Sequence, residues 1–287
     1  MSYILYAWLT SITYGLGSVV GKISTKHQIK NPWHYNFVWA VFTVISILPF
    51  AIMGHVGLPQ DWNSMLWLGV ANTISGALFI LAFFAVDLSV LSPLAMLRTP
   101  LLALSGALIF GEILTLVQWV LISIVFVAGI LVNLDEKFSI KSVLNKNILL
   151  AFAWIVSSVW FNSMIKYASQ TNGFWEVSLW PAIIAVVLFL PTISLFYKDM
   201  YKSKPVQHVG IALTTILYTA GLLFSIKAFG ENIGISIAII SLPLAMIMTM
   251  ALAKFAPHIL EKHTGKVYVI RLVAASVMFA AALGLST

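Results

Sequence analysis

The chain contains no cysteine. Disulfides and thiolate metal sites are excluded, and cysteine usage says nothing about redox compartment. Charge is scarce too. Asp, Glu, Lys and Arg make up 9% of 287 residues, against about 25% in soluble domains. The nine acids all lie in loops or near the ends of apolar runs; Glu176, which opens one such run, is the acid closest to facing a membrane. The six histidines, His27, His34, His55, His208, His258 and His263, also sit at loops or run ends, with no two at ligand spacing on an interior face. No P-loop, HExxH or other nucleotide or metal signature occurs, so no cofactor and no metal are expected and an enzyme is disfavoured.

What is present is apolar. Apolar residues make up 61% of the chain and mean hydropathy is +1.00, more than a globular core can hide. An all-α integral membrane protein is expected. Apolar runs of about 20 residues between breakers number ten: 3–21, 33–54, 64–85, 90–110, 116–134, 147–165, 175–197, 209–229, 234–255 and 267–285. The runs are continuous rather than alternating, so a barrel is not competitive. The net charge of +7 reads as loop lysines facing a membrane surface, and no nucleic-acid partner is expected. The first run lacks a preceding basic segment and a clear cleavage site, and reads as a retained span.

The two halves repeat. "AWLTSITYGLGSVVGKIST" (Ala7 to Thr25) aligns with "AFAWIVSSVWFNSMIKYAS" (Ala151 to Ser169). At the same offset Lys22 meets Lys166 and Asp87 meets Glu231; within one residue of it Pro100 meets Pro243. Residues 1–137 and 138–287 are therefore read as two five-helix units. Five is odd, so the second unit must be inverted relative to the first, a construction that places substrate sites at the repeat interface of many secondary transporters.

Ten spans in two inverted halves, with "YGLGSVVGK" in the first run and the stretch Leu88 to Val132 carrying a proline, a Gly-Glu turn (Gly111, Glu112) and a glycine-terminated following span, resemble the drug/metabolite transporter superfamily, EamA type. The second half keeps "SLPLAMIMTMALAK" and Glu261 but lacks the Gly-Glu pair. The resemblance implies a secondary, alternating-access transporter in the cell membrane, a monomer or homodimer, for a small polar or amphipathic metabolite such as an amino acid or organic anion. Carriage of organic cations or amines, or flipping of a lipid-linked substrate, stays open beside it. Relatives keep their termini inside. Here thirteen of the sixteen Lys and Arg fall at odd-numbered loops, against Lys166 and Lys227 at even ones and Arg98 within the fourth run, which places both termini outside.

Arg98 is the sharpest candidate. A charge within a span is costly and normally faces a bundle interior or wet cavity, and guanidinium suits two-point contact with a carboxylate or phosphate. A snorkelling or paired structural arginine is the competing reading. Trp154, Ser158 and Asn162 share one helical face, and Tyr14 is the repeat counterpart of Ser158. Trp39, Asn72, Trp180 and Tyr218 lie deep in their runs and complete the candidate cavity wall; packing bulk is the alternative for each. Lys22, Lys166, Glu176 and Lys227 are candidates for the cavity mouths, or else plain interfacial anchors. Gly17 and Gly21 form a GxxxG pair for close helix packing.

Overall fold

The computed structural model describes residues 3–27, 29–110, 115–132, 145–231 and 265–286, with 236, 239–240, 244–245, 247–248 and 251. Among them the regular structure is helical: α1 (Tyr3–His27), α2 (Pro32–Met53), α3 (Trp62–Ala85), α4 (Leu88–Leu94), α5 (Arg98–Phe110), α6 (Leu116–Val132), α7 (Lys146–Ala168), α8 (Phe174–Phe189), α9 (Tyr197–Lys202), α10 (Pro205–Glu231) and α11 (Gly265–Ser286). Among the described residues six stretches, 3–25, 32–53, 62–85, 146–168, 174–195 and 205–228, are long and apolar enough to cross a bilayer. Their outward faces carry Ile45, Phe50, Val156 and Val187, each more than half exposed. Apolar area on that scale requires lipid around it. The chain is a multi-pass, all-α membrane protein.

Helix starts follow from short polar residues. Asn31 caps α2 by accepting from the amides of Trp33 and His34, with Pro32 at the first helical position. Asp61 caps α3 through the Asn63 and Ser64 amides, and Asn145 caps α7 through that of Asn147. The Asp61 carboxyl is held below its ordinary range, first by the Ser64 side chain.

Two expected runs differ in the structure. The fourth is broken: α4 stops at Leu94, a 3-10 turn spans Ala95–Leu97, and α5 starts at Arg98. Pro93 and Pro100 bracket the break, and neither supplies an amide to continue the ladder. The seventh tightens from α8 into a 3-10 turn over Leu190–Leu195, with Pro191 at its start. Most of the expected ninth run, most of the Asp135–Lys146 midpoint, Gly111–Glu112 and Glu261 lie outside the described residues.

Packing is by pairs. α1 lies antiparallel on α10, and α3 antiparallel on α7; α3 and α2 both meet α8, α2 also meets α10, and α6 lies on α11. The α1–α10 seam is closed by glycines. A Cβ on Gly17 would fall 2.7 Å from the Tyr218 ring, one on Gly21 2.9 Å from Thr214, and one on Gly221 2.5 Å from the Tyr14 ring. Without a hydrophobic driving force between helices in lipid, such close approach is what holds them. The largest apolar cluster joins Phe83, Leu94, Met96, Leu97, Ile155 and Met278 of several helices. It supports the α4–α5 break from behind.

Candidate functional site

Between these pairs lies a cavity of about 300 Å³. Each wall is one helical face. α1 contributes Ser11, Tyr14, Gly15 and Ser18; α3 contributes Asn72, Ser75, Gly76, Phe79 and Phe83; α7 contributes Trp154, Ser158, Phe161 and Asn162. α2 adds Asn36, Trp39 and Thr43, and α10 adds Tyr218, Thr219 and Ser225.

Rings make a continuous surface. Tyr14 stacks on Tyr218 at 5.1 Å, Trp39 meets Tyr218 edge-on at 4.9 Å, and Phe79 touches Trp39, Tyr218 and Trp154 at 6.0, 5.7 and 5.0 Å. The Ser18 and Tyr218 hydroxyls are 2.6 Å apart, which fixes the Tyr218 ring.

Arg98 enters from the α4–α5 break. Its Nε donates to the Ala95 carbonyl at 3.0 Å, and its guanidinium carbon lies 5.6 Å from the Trp154 ring centre. The Ala95 carbonyl, which also accepts the Arg98 backbone amide in the 3-10 turn, and the indole face hold the guanidinium in place. Among the described lining residues Arg98 is the only charged side chain, and none is a carboxylate. In a wall of low polarity such a charge attracts a partner of opposite sign strongly. Ser11, buried in the same wall, has a hydroxyl with no hydrogen-bond partner among the described residues. A buried polar atom left this way calls for a ligand or water.

Eight of the nine residues singled out for the cavity wall border this space: Tyr14, Trp39, Asn72, Arg98, Trp154, Ser158, Asn162 and Tyr218. Trp180 does not. Its Nε1 donates to the Gly57 carbonyl at 2.9 Å and its ring packs edge-on against Trp62 at 5.1 Å, so it ties α8 to the α2–α3 loop. The sequence reading passed over Ser11, Ser18, Ser75 and Phe79. Their signal was spacing: Ser11 and Ser18 flank Tyr14 by three and four residues, and Ser75 and Phe79 follow Asn72 by three and seven.

The mouth candidates separate. Lys22 is buried, and its Nζ donates to the Phe83 and Val86 carbonyls, both at 2.7 Å, where α3 ends. Lys166 and Lys227 are exposed. Glu176 accepts from the Gly57 amide at 2.8 Å. Beside it Asn172 accepts from the Gln60 and Asp61 amides and donates to Ser64 Oγ. At the opposite end of the molecule Asn31 donates to Asp199 at 2.7 Å, and the Nε2 atoms of His34 and His208 meet at 3.3 Å. No group of three or more potential metal-ligating side chains occurs among the described residues.

A bundle of membrane-crossing helices around a cavity lined by aromatic, small and hydroxyl side chains, with one cation among the described lining residues, defines a polytopic membrane protein with an internal cavity. No protein-family model matches the chain, and no curated protein matches it in sequence. Among solved structures similar to it, one crystal structure superposes with a TM-score of 0.66 over 98% of both chains at 16% identity, which shows a shared fold.

Proposed function

We propose that the chain is a secondary, alternating-access transporter in the cell membrane, built as ten spans in two inverted five-span halves as the resemblance to EamA-type carriers implies, and that it moves a small organic anion or zwitterion. The observation that carries this reading is the cavity: residues of both halves enclose it, and Arg98 is its one charge among the described residues. The helix pairing supports the inversion. Exchanging each span with its counterpart in the other half turns the α1–α10 pair into α7–α3 and the α3–α8 pair into α10–α2, while α2–α8 and α6–α11 map onto themselves. A site at that junction is where such folds bind their cargo. Arg98 takes the oxyanion, the rings cover the apolar part of the solute, and Ser11 and Ser158 offer hydroxyls.

Thermal unfolding of the purified protein across carboxylates, organophosphates and amines tests this. Binding to the folded state alone raises stability with the logarithm of ligand concentration over Kd, by about 2.7 kcal/mol at a hundredfold excess. Carboxylates or phosphates are expected to raise Tm in the native protein and to do so no longer in Arg98→Ala. Stabilisation by amines that survives Arg98→Ala would instead make Tyr14, Trp39, Trp154 and Tyr218 an aromatic cage for a cation.

A further inference from the structure

Both ends of the molecule are bridged, and the two bridges are built alike from different chemistry. α2 and α8 are counterparts in the repeat. The third helical residue of α8 is Glu176, which accepts from the Gly57 amide; the third of α2 is His34, which meets His208 at the start of α10. An asparagine beside each helix start crosses to the facing segment: Asn172 to Gln60 and Asp61, Asn31 to Asp199 and, at 3.4 Å, to the Leu195 carbonyl. The bridge at the Gly57 end uses carboxylate, amide and indole groups, and His55 on that loop is exposed. The other bridge turns on two imidazoles.

We infer that the His34–His208 pair is a proton-operated latch, which closes this end of the cavity when neutral and releases it when protonated. The inference rests on reading the cavity as a transport path with two gates. The two shorter contacts of His208 fit one placement of the protons; the third, Ser203 Oγ at 3.5 Å from Nε2, is at the limit of a hydrogen bond. Lys204 O, 3.2 Å from His208 Nδ1, only accepts, so Nδ1 carries hydrogen and neutral His208 presents a lone pair at Nε2. His34 Nε2 is then the donor across the 3.3 Å gap. One added proton is accommodated if His34 shifts its hydrogen to Nδ1. A second sets N–H against N–H and places two positive charges at that distance. His34 has little room to turn away, since it is buried and its ring lies flat on Phe196, 5.2 Å between centres and 5° from parallel. Separation of α2 from the start of α10 is what relieves the contact.

The other charged groups at this end offset it only in part. Asp199 on α9 keeps its negative charge while accepting from Asn31 and offsets part of the repulsion, ranking below His208 among the charges acting on His34. Lys198 sits over the Tyr197 ring at 5.8 Å, while Lys30, Lys202 and Lys204 are exposed; the side chains of Lys26 and His27 lie outside the described residues. The closed form therefore binds fewer protons than the open one, so closure is favoured as pH rises and lost as it falls. Imidazole takes up its proton between about pH 8 and 5, and the hydrogen bonds described for the Gly57-end bridge involve no histidine.

Hydrogen–deuterium exchange of the purified protein at pH 7.5 and 5.5, without any solute, reads this directly once the intrinsic pH dependence of exchange is divided out. Protection over 29–38 and 196–210 is expected to fall severalfold on acidification, with 54–61 and 169–178 unchanged as the internal standard. In His208→Gln, and separately in His34→Gln, protection is expected to be the same at both pH values; either variant serves if the other does not fold. A response that persists in both variants, that appears equally at both ends, or that is absent from the native protein overturns the latch. Because no solute is present, the result is independent of whether any metabolite stabilises the chain.

Discussion

Lys22 and Lys166 are paired by the alignment of the two sequence halves, and the fold treats them differently. Lys22 closes the end of α3, donating to two carbonyls that the last helical turn leaves open. Lys166 is exposed near the end of α7. Lys22→Met leaves the Phe83 and Val86 carbonyls buried without that donor, and is expected to cost about 1–3 kcal/mol for each carbonyl so orphaned. Lys166→Met is expected to stay within about 0.5 kcal/mol of the native protein. Thermal unfolding of both variants in one detergent checks this, and equal losses would show that the Lys22 bonds carry no net stability. Aligning the two halves of the sequence pairs these residues by position. Their environments were not legible there, because what a lysine meets depends on which helix end stands opposite.

At the scale of elements, continuous apolar runs fix where helices form, and the described ones lie close to the expected bounds. The α4–α5 break was half-legible: Pro93 and Pro100 are visible in the sequence, but the 3-10 turn between them is shaped by the cluster of Leu94, Met96 and Leu97 behind it. Seams between helices were barely legible. Gly17 and Gly21 signalled close packing, yet their partners Tyr218 and Thr214 lie some two hundred residues away in sequence. Gly221, which no motif marked, is tighter still. Gly221→Ala sets a methyl 2.5 Å from the Tyr14 ring and 2.8 Å from Thr13 Oγ1, and is expected to cost about 1–3 kcal/mol as α1 and α10 are forced apart. Gly76→Ala is the control. It too is helical, but nothing lies within 4 Å of its added Cβ, which projects where the cavity is open. It is expected to be neutral or to gain about 0.5–1 kcal/mol from the lower flexibility of the unfolded chain. Unfolding midpoints of the two variants decide it, and equal destabilisation would mean that helix propensity rather than the seam is being measured.

For the whole molecule, the cavity residues were legible as helical stripes, whereas the end bridges were not. His34 and His208 come from helices 174 residues apart, and spacing along the chain says nothing about such a pair. Trp180 shows the opposite error: depth within an apolar run does not say which way a ring faces, and this one turns to the Gly57 carbonyl. The two bridges also define which loops share a face. Leu58 follows the end of α2, and Tyr201 sits on α9, which Asp199 joins to the residue capping the start of α2. The two are therefore at opposite ends of one span, and both are strongly exposed, at 72% and 94%. From the Lys and Arg bias, the Tyr201 end, with Lys198, Lys202 and Lys204, is expected to face the cytoplasm. Since the chain has no cysteine, Leu58→Cys and Tyr201→Cys each supply one reactive thiol. A membrane-impermeant maleimide is expected to label Leu58→Cys in intact cells and Tyr201→Cys only after permeabilisation. The reverse pattern would put the termini inside, as in relatives of the family the chain resembles, and would turn the His34–His208 latch toward the exterior. Labelling of both thiols from the same side would break the assignment of α2 as a single crossing, and with it the two-gate reading of the cavity.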